Sequence, residues 1–390
     1  MSPEARRCLE LAEQAIGMSD PNPRVGCVIV TRSGQRVEGH THAAGGLHAE
    51  AHALVQAAQS GLDLRGATAW VSLEPCSHHG RTPPCSGALI QSGVARVEVA
   101  CLDPNPLVSG RGVQALRGAG VEVQVHEGEW AKQARAMNIG FMSRMERGRP
   151  WVRLKVAASL DGTTALLNGR SQWITAAAAR IDGHHWRRRA GALLTGIGTV
   201  RDDNPRLDVR EAPCPIQPLR VVVDSRLAIS PDARILQAPG RALVYTAIQD
   251  QAHPTRQALQ QLPGVEVAVL PTVAAGDQAQ AGAREGAADK TDLAALMRDL
   301  AARGINELHV EAGEKLNGSL LRAGVVDELL VYLAPRLLGR GRGLAAVFDP
   351  PLEALDQDVP LAFIDCQTVG ADLRLRALTA QGQASYPAPR

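Results

Sequence analysis

Four residues in the first quarter of the chain could together perform hydrolytic chemistry: His48, Glu50, Cys76 and Cys85. One imidazole and two thiolates supply three ligands to a tetrahedral zinc ion and leave the fourth position for water. Glu50 is then placed to take a proton from that water and pass it to a leaving amine. The pairing carries a geometric demand. Two residues apart in a regular helix point about 200° away from each other, so His48 and Glu50 converge only where the helix is beginning. On the residues alone, other readings stay open. Cys76 and Cys85 could be buried thiols, or His78 or His79 could replace one of them as ligand. His52 follows His48 by one helical turn, as in H-E-x-x-H metalloproteases, but there the glutamate follows the first histidine directly. His52 therefore reads as a packed helix residue, and Cys27 and Cys101, in apolar runs, read as core.

These side chains need elements to position them. The segment SPEARRCLELAEQAIGMSD reads as an amphipathic N-terminal helix and has no signal-peptide core. RVGCVIVT (24–31), ATAWVSLE (67–74), ARVEVACLD (95–103) and VEVQVHEG (121–128) read as strands. Between them, HAEAHALVQAAQ (48–59), CSGALIQSG (85–93) and GRGVQALRGAG (110–120) read as helices. Such alternation predicts an α/β layer fold. Cys76 and Cys85 both precede or open helical stretches, where a thiolate is favoured.

At ERGRPW (146–151) the pattern restarts, which places a boundary between domains 1–146 and 147–390. A second series of short apolar runs follows: WVRLKVAASLDG, GALLTG, LRVVVDS, RALVYT, VEVAVLP, NELHVEAG and DELLVYLAP. Residues 272–290 have no apolar period and read as a surface insertion. The helix after them is predicted to be capped near Thr291 and stopped by Gly304. No G-x-G-x-x-G follows the first strand of this half, so a Rossmann dinucleotide site is not predicted. TGIGTVRDD (195–203) and VEAGEKLNGSLL (310–321) are strand-to-helix turns, and the amides opening the second helix could hold a phosphate, with Gly313 allowing close approach. DSR (224–226) puts a hydroxyl and a cation at a strand end. Arg187, Arg188 and Arg189 form a basic run that is either a solvated helix face or a grip on a substrate phosphate.

Over 390 residues, 45% are apolar and 21% charged, ordinary for a soluble enzyme, and a net charge of +2 with 3% aromatics argues against a nucleic-acid surface. No run is long and apolar enough to suggest a membrane span. Seven scattered cysteines are no disulfide framework and point to a reducing cytoplasm.

The histidine–glutamate pair, Pro75-Cys76 and Cys85 match the zinc deaminase pattern of H-x-E followed by P-C-x-x-C, except that eight residues, SHHGRTPP, separate the cysteines. Gly80 and Pro83-Pro84 can fold the chain back to return Cys85 to the metal. Together, PNPRVGCVIV (21–30), HAEAHAL (48–54), VSLEPCSHHGRTPPC (71–85) and DPNPLVSGRG (103–112) resemble the deaminase half of the bifunctional riboflavin-biosynthesis deaminase–reductases. LKVAASLDGTTA (154–165), GRSQWIT (169–175), TGIGTVRDDNPRLDVR (195–210), VVVDSR (221–226), VEAGEKLNGSLL and VDELLVYLAPRLLG (326–339) resemble the reductase half. The resemblance implies a cytidine-deaminase-like α/β/α domain followed by a dihydrofolate-reductase-like α/β domain. It implies zinc on His48, Cys76 and Cys85, with Glu50 as acid/base and Asn22 in the substrate pocket. It implies NADPH contacts from Ala157, Trp173, Thr199, Asp203, Ser225, Gly313, Glu314, Lys315, Leu316, Asn317, Gly318 and Ser319. Substrate contacts are implied from Ser171, Arg187, Leu207, Arg210 and Glu311. The implied substrate is a phosphorylated pyrimidine, deaminated and then reduced to a ribityl product, and a homo-oligomer without nucleic-acid or membrane partners is expected. One departure stands out: many relatives carry a histidine where this chain has Thr41, with His42 beside it. Competing readings are a deaminase of another base, as in transfer RNA, and a zinc-stabilised binding module.

Overall fold

The structure, a computed structural model, describes residues 1–77, 84–272, 290–343 and 352–387. His78, His79 and most of the segment between the two cysteines lie outside the described residues, as does most of the 272–290 insertion. The chain divides into two compact units, one of residues 1–148 together with the tail from Tyr386, the other Arg149–Ser385.

The first unit is built on a five-stranded sheet of β1 (Gly26–Val30), β2 (Arg36–His40), β3 (Thr68–Val71), β4 (Arg96–Val99) and β5 (Glu122–Val125), in the order β2-β1-β3-β4-β5. β1 runs antiparallel to both its neighbours, whereas β3, β4 and β5 are parallel. Parallel neighbours require crossover helices, and Cys85–Ser92 and Arg111–Gly118 supply them. Gly93 ends the first of these at φ 76°, as its left-handed C-cap. The N-terminal helix Pro3–Gln14, capped by the Ser2 hydroxyl, packs so tightly on β1 that a Cβ at Gly26 would lie 2.0 Å from the Cys8 carbonyl oxygen. Cys8, Cys27 and Cys101 are buried in this core, as expected of them. β2 was not predicted. Its sequence, RVEGH, is short, charged and interrupted by glycine, as edge strands often are.

The second unit has a nine-stranded sheet. Its strands are β6 (Trp151–Ser159), β8 (Ala192–Gly196), β9 (Leu219–Val223), β10 (Ala242–Thr246), β11 (Val265–Val269), β12 (Glu307–Val310), β13 (Glu328–Ala334), β15 (Leu361–Val369) and β16 (Asp372–Thr379). A separate pair joins β7 (Ala165–Leu166) to β14 (Gly341–Arg342). The main order is β11-β10-β9-β8-β12-β6-β13-β16-β15, parallel from β11 to β13 and antiparallel thereafter. Each of the seven apolar runs in this half forms one of the seven parallel strands. The closing β15–β16 hairpin was not anticipated. β15 is an exposed edge whose residues alternate without a consistently buried face, so no apolar period marks it.

The helix after the insertion runs Leu293–Ala302, and its cap is Asp292 rather than Thr291. The Asp292 carboxylate accepts from the amides of Ala294 and Ala295, while Thr291 turns back to Ser225. Gly304 follows at φ 83°.

Candidate functional site

His48 is the N-cap of helix Ala49–Gln59, with extended backbone at φ −73° and ψ 163°, and Glu50 is the second residue of its first turn. The extended cap resolves the geometric demand, because the ring and the carboxylate are no longer fixed on opposite faces. Cys76 lies beyond the end of β3, and Cys85 opens its helix with Pro84 as cap. The Nδ1 atom of His48 is 3.6 Å from Cys76 Sγ and 3.5 Å from Cys85 Sγ. Tetrahedral zinc with bonds of about 2.3 Å to sulfur and about 2.0–2.1 Å to nitrogen requires a sulfur–nitrogen spacing of about 3.6 Å. The donors therefore stand at zinc-binding distances, and Nδ1 is the nitrogen that faces both sulfurs.

Two supports hold Cys76. Its sulfur accepts the Cys85 amide at 3.3 Å, and the preceding Glu74 is locked from behind. The buried Glu74 carboxylate accepts four backbone amides: Asp103 and Gly110 on Oε2, Gly112 and Val113 on Oε1, at 2.9–3.2 Å. A Cβ at Gly112 would fall 1.9 Å from the Pro75 carbonyl oxygen, so only glycine admits this contact. Sequence reasoning passed over Glu74. Its signal was a carboxylate ending a buried strand, where the core offers it no cation.

The side-chain hydrogen bond with Cys85, together with His48, lowers the Cys76 thiol to about 4, whereas Cys85 is pushed upward by Cys76 and by burial. Burial and the Cys76 charge raise Glu50 to about 7, in the range that suits a group taking and returning a proton near neutrality. Asn22 is half-buried, and its amide donates to the Ser19 carbonyl oxygen. Thr41 is buried, with its hydroxyl accepting the Val25 amide.

In the second unit a cavity of about 1250 Å³ opens at the carboxyl ends of β8, β12, β6 and β13. Ligands bind at such strand ends in open α/β sheets. Two helices, Ile197–Asp203 and Glu314–Arg322, begin at its wall, so amides unpaired within those helices face it. The tight approach is at Gly196, where a Cβ would meet Leu316 at 3.1 Å. At Gly313 a Cβ would make only an ordinary 3.6 Å contact with Thr199, so that glycine is not required for close approach.

Of the residues the resemblance assigns to NADPH, Ala157, Trp173, Thr199, Asp203, Gly313, Glu314, Lys315, Leu316 and Asn317 line this cavity. Gly318, Ser319 and Ser225 are not among the lining residues. The Ser319 hydroxyl donates to the Lys315 carbonyl oxygen, and Ser225 Oγ accepts the Thr291 amide. Trp173 is 60% exposed, and the Arg180 guanidinium lies 4.6 Å from the centre of its ring.

The five residues assigned to substrate, Ser171, Arg187, Leu207, Arg210 and Glu311, all line the same cavity. Leu207 adopts φ 49°, outside the usual range for leucine, and belongs to an apolar cluster. Arg187 is no solvated residue. Its Nε and Nη2 reach the two Glu311 oxygens at 2.5 and 2.9 Å, and Nη1 donates to the Asp208 carbonyl oxygen. Arg189 similarly pairs with the buried Glu307. The basic run is thus structural at two of its three positions. Arg210 is more open and pairs with Asp208 at 2.9 Å.

Two further lining residues escaped sequence reasoning. Lys155 Nζ stands 3.5 Å from Glu311, a lone ammonium in an apolar strand. His184 accepts the Arg210 amide on Nδ1 at 3.2 Å; burial, with the Arg187 and Arg210 charges, lowers it to about 4. Burial would raise Glu311, but Arg187 and Lys155 overcome it and hold the carboxyl well below the usual range.

Comparison with known proteins follows this division. A family described as the cytidine and deoxycytidylate deaminase zinc-binding region matches residues 4–101, and the RibD C-terminal domain matches residues 150–375. The chain is similar to the riboflavin biosynthesis protein RibD of Escherichia coli (strain K12), at 42% identity over 388 residues, 96% of this chain and 98% of that protein. RibD of Actinobacillus pleuropneumoniae is 37% identical over 370 residues, 95% of this chain and 93% of that one. Among solved structures, Acinetobacter baumannii RibD (form 1) superposes with a TM-score of 0.82 at 39% identity, covering 97% of this chain and 98% of that one. The diaminohydroxyphosphoribosylaminopyrimidine deaminase/5-amino-6-(5-phosphoribosylamino)uracil reductase of Thermotoga maritima gives 0.81 at 30% identity, covering 97% and 98%.

Proposed function

The chain belongs to the RibD family of riboflavin biosynthesis proteins, and from that premise we propose which side chains perform each of its two reactions. It is a bifunctional enzyme, a zinc-dependent deaminase and an NADPH-dependent reductase. In our assignment, deamination belongs to residues 1–146 and reduction to residues 147–390. The substrate is a diaminopyrimidinone bearing a phosphoribosylamino group.

The observation that carries the first assignment is the 3.5 and 3.6 Å spacing of His48 Nδ1 from the two sulfurs, with Glu50 buried two residues further along the chain. Zinc held there supplies an activated water at neutral pH. Glu50 takes the proton as the water oxygen bonds to the ring carbon bearing the 2-amino group. It returns that proton to the amine nitrogen as the carbon–nitrogen bond breaks and ammonia leaves. The test is Glu50→Gln. Ammonia release is expected to vanish while zinc content and NADPH-dependent reduction of the deaminated intermediate persist; retained ammonia release removes Glu50 from the mechanism.

For the second reaction, NADPH held in the cavity would supply a hydride for the ribose C1′, taken as its open-chain imine. The two helix starts at residues 196–199 and 313–317 support the phosphates of the cofactor. Arg210, half-exposed beside Asp208, suits the substrate phosphate better than Arg187, three of whose five N–H donors are already engaged by Glu311 and Asp208. Lys155 is the ammonium on the cavity wall and can give the proton that the imine nitrogen needs. The exposed edge strand β15, with Phe363 71% exposed, supports self-association of the chain. A single-chain mass by light scattering would remove that reading. All seven cysteines are free, which supports a cytoplasmic setting; a native disulfide found in protein isolated from cells would count against it.

A further inference from the structure

A second group of metal-ligating side chains lies in the first unit, apart from the cysteine cluster. His40 ends β2, His42 follows it, and His52 sits one turn into helix Ala49–Gln59. The helix packs against β2 so closely that a Cβ at Gly39 would lie 2.1 Å from the Ala49 carbonyl oxygen and 3.0 Å from His52 Cβ. That contact draws the three rings together. Their centroids are 5.1 Å apart for His40 and His42, 5.0 Å for His40 and His52, and 4.4 Å for His42 and His52.

His42 Nε2 and His52 Nδ1 are 3.2 Å apart, and one ring nitrogen from each of the three histidines lies within 4.8 Å of the others. Two imidazole nitrogens on a tetrahedral ion stand about 3.3 Å apart at bond lengths of about 2.0–2.1 Å. In the metal-free chain the 3.2 Å contact is a hydrogen bond in which one ring donates and the other accepts. An ion between His42 Nε2 and His52 Nδ1 would replace that proton and also displace the His40 backbone amide, which donates to His52 Nδ1 at 3.3 Å. The site is reachable: His40 and His52 line a cleft of about 460 Å³ that also holds Glu38 and Gln56, leaving room for water as a further ligand.

We propose that His40, His42 and His52 form a second metal site, binding a divalent ion of the zinc, nickel and copper class, for which imidazole is a preferred ligand. Binding displaces the proton shared by His42 and His52 and leaves the cysteine site untouched.

The test is zinc uptake by the full chain, read by metal analysis after equilibrium dialysis against micromolar zinc. Wild type is expected to take up two equivalents, the His40→Phe/His42→Gln double variant one, and the Cys76→Ser/Cys85→Ser double variant one. Circular dichroism shows whether each variant is folded. Cobalt separates the two sites without any variant: the cysteine site gives a thiolate charge-transfer band, and the histidine site adds a second equivalent without strengthening it. Uptake of one equivalent by wild type, lost in the cysteine variant, overturns the histidine site and leaves the deaminase reading intact. One equivalent that survives in the cysteine variant and is lost in the histidine variant upholds the histidine site and defeats the cysteine site. Two equivalents retained by the histidine variant overturn the proposal.

Discussion

Glu50 and Glu311 are carboxylates largely shielded from water at functional sites, one in each unit, and they are driven in opposite directions. Glu50 faces a thiol pair, and burial with the Cys76 charge outweighs the opposing pull of His48 and raises it to about 7. Glu311 is half-buried, with its side chain 16% exposed, and Arg187 and Lys155 hold it well below the ordinary range. Burial alone decides neither case. It magnifies whatever charge lies nearby, because a low-dielectric site strengthens attraction and repulsion alike. One carboxyl can therefore carry a proton, while the other remains a fixed anion that orients cations.

The comparison breaks first at Lys155. If Lys155 gives the proton in reduction, Lys155→Met lowers the reductase kcat by roughly a hundred- to ten-thousand-fold, the usual range for loss of general acid catalysis. Ammonia release stays at the wild-type rate. Equal losses in both activities would mean a folding defect instead.

Arg187 sharpens the comparison from the side of stability. Arg187→Ala leaves the half-buried Glu311 with one cation fewer; removing one partner of a fully buried pair costs about 3–5 kcal/mol, and this part-exposed pair should cost somewhat less. Urea unfolding is expected to show that loss, and Arg187→Ala/Glu311→Leu to recover much of it. A single variant as stable as wild type would show that the pair is solvated after all.

Glu74 is a third enclosed carboxylate, held by amides rather than by cations. Glu74→Gln turns an amide group toward donors that need an acceptor, at about 1–3 kcal/mol for an unsatisfied group. Zinc affinity should fall with it, since Cys76 is two residues away; unchanged stability and zinc content would separate Glu74 from the metal site.

Acid should act on the second unit in two windows. His184 is lowered to about 4 from an ordinary 6.5, so the folded chain binds fewer protons than the unfolded one between those values. Stability therefore declines as pH falls from about 6.5 toward 4. Glu328 is fully buried, but Arg153 and Arg376 outweigh burial and bring it from 4.5 to about 2. Its contribution is present above about pH 4.5 and is lost as pH falls toward 2. Urea midpoints across a pH series should show both declines, and His184→Asn should flatten the upper one alone.

Much of this was legible in the sequence because short-range signals and function coincide. The zinc ligands fall in two short motifs, and central parallel strands such as β8 and β9 are apolar runs, as strands buried on both faces tend to be. What sequence reasoning missed lacks a local signature. β2 and β15 are edge strands with charged or alternating residues. Arg187 belongs to a run of three arginines, and only its distant partner Glu311 shows that it is buried. Asp292 outcompeted Thr291 as a cap by one position. Glu74, His184 and Lys155 have partners up to about 156 residues away, a distance no window spans.

The backbone latch at Glu74 has a consequence for how the first unit can vary. One sulfur is secured from the strand side by four amides, and the other is carried by its own helix. A change at Glu74 or Gly112 would therefore loosen the first sulfur while leaving the helix that carries the second in place.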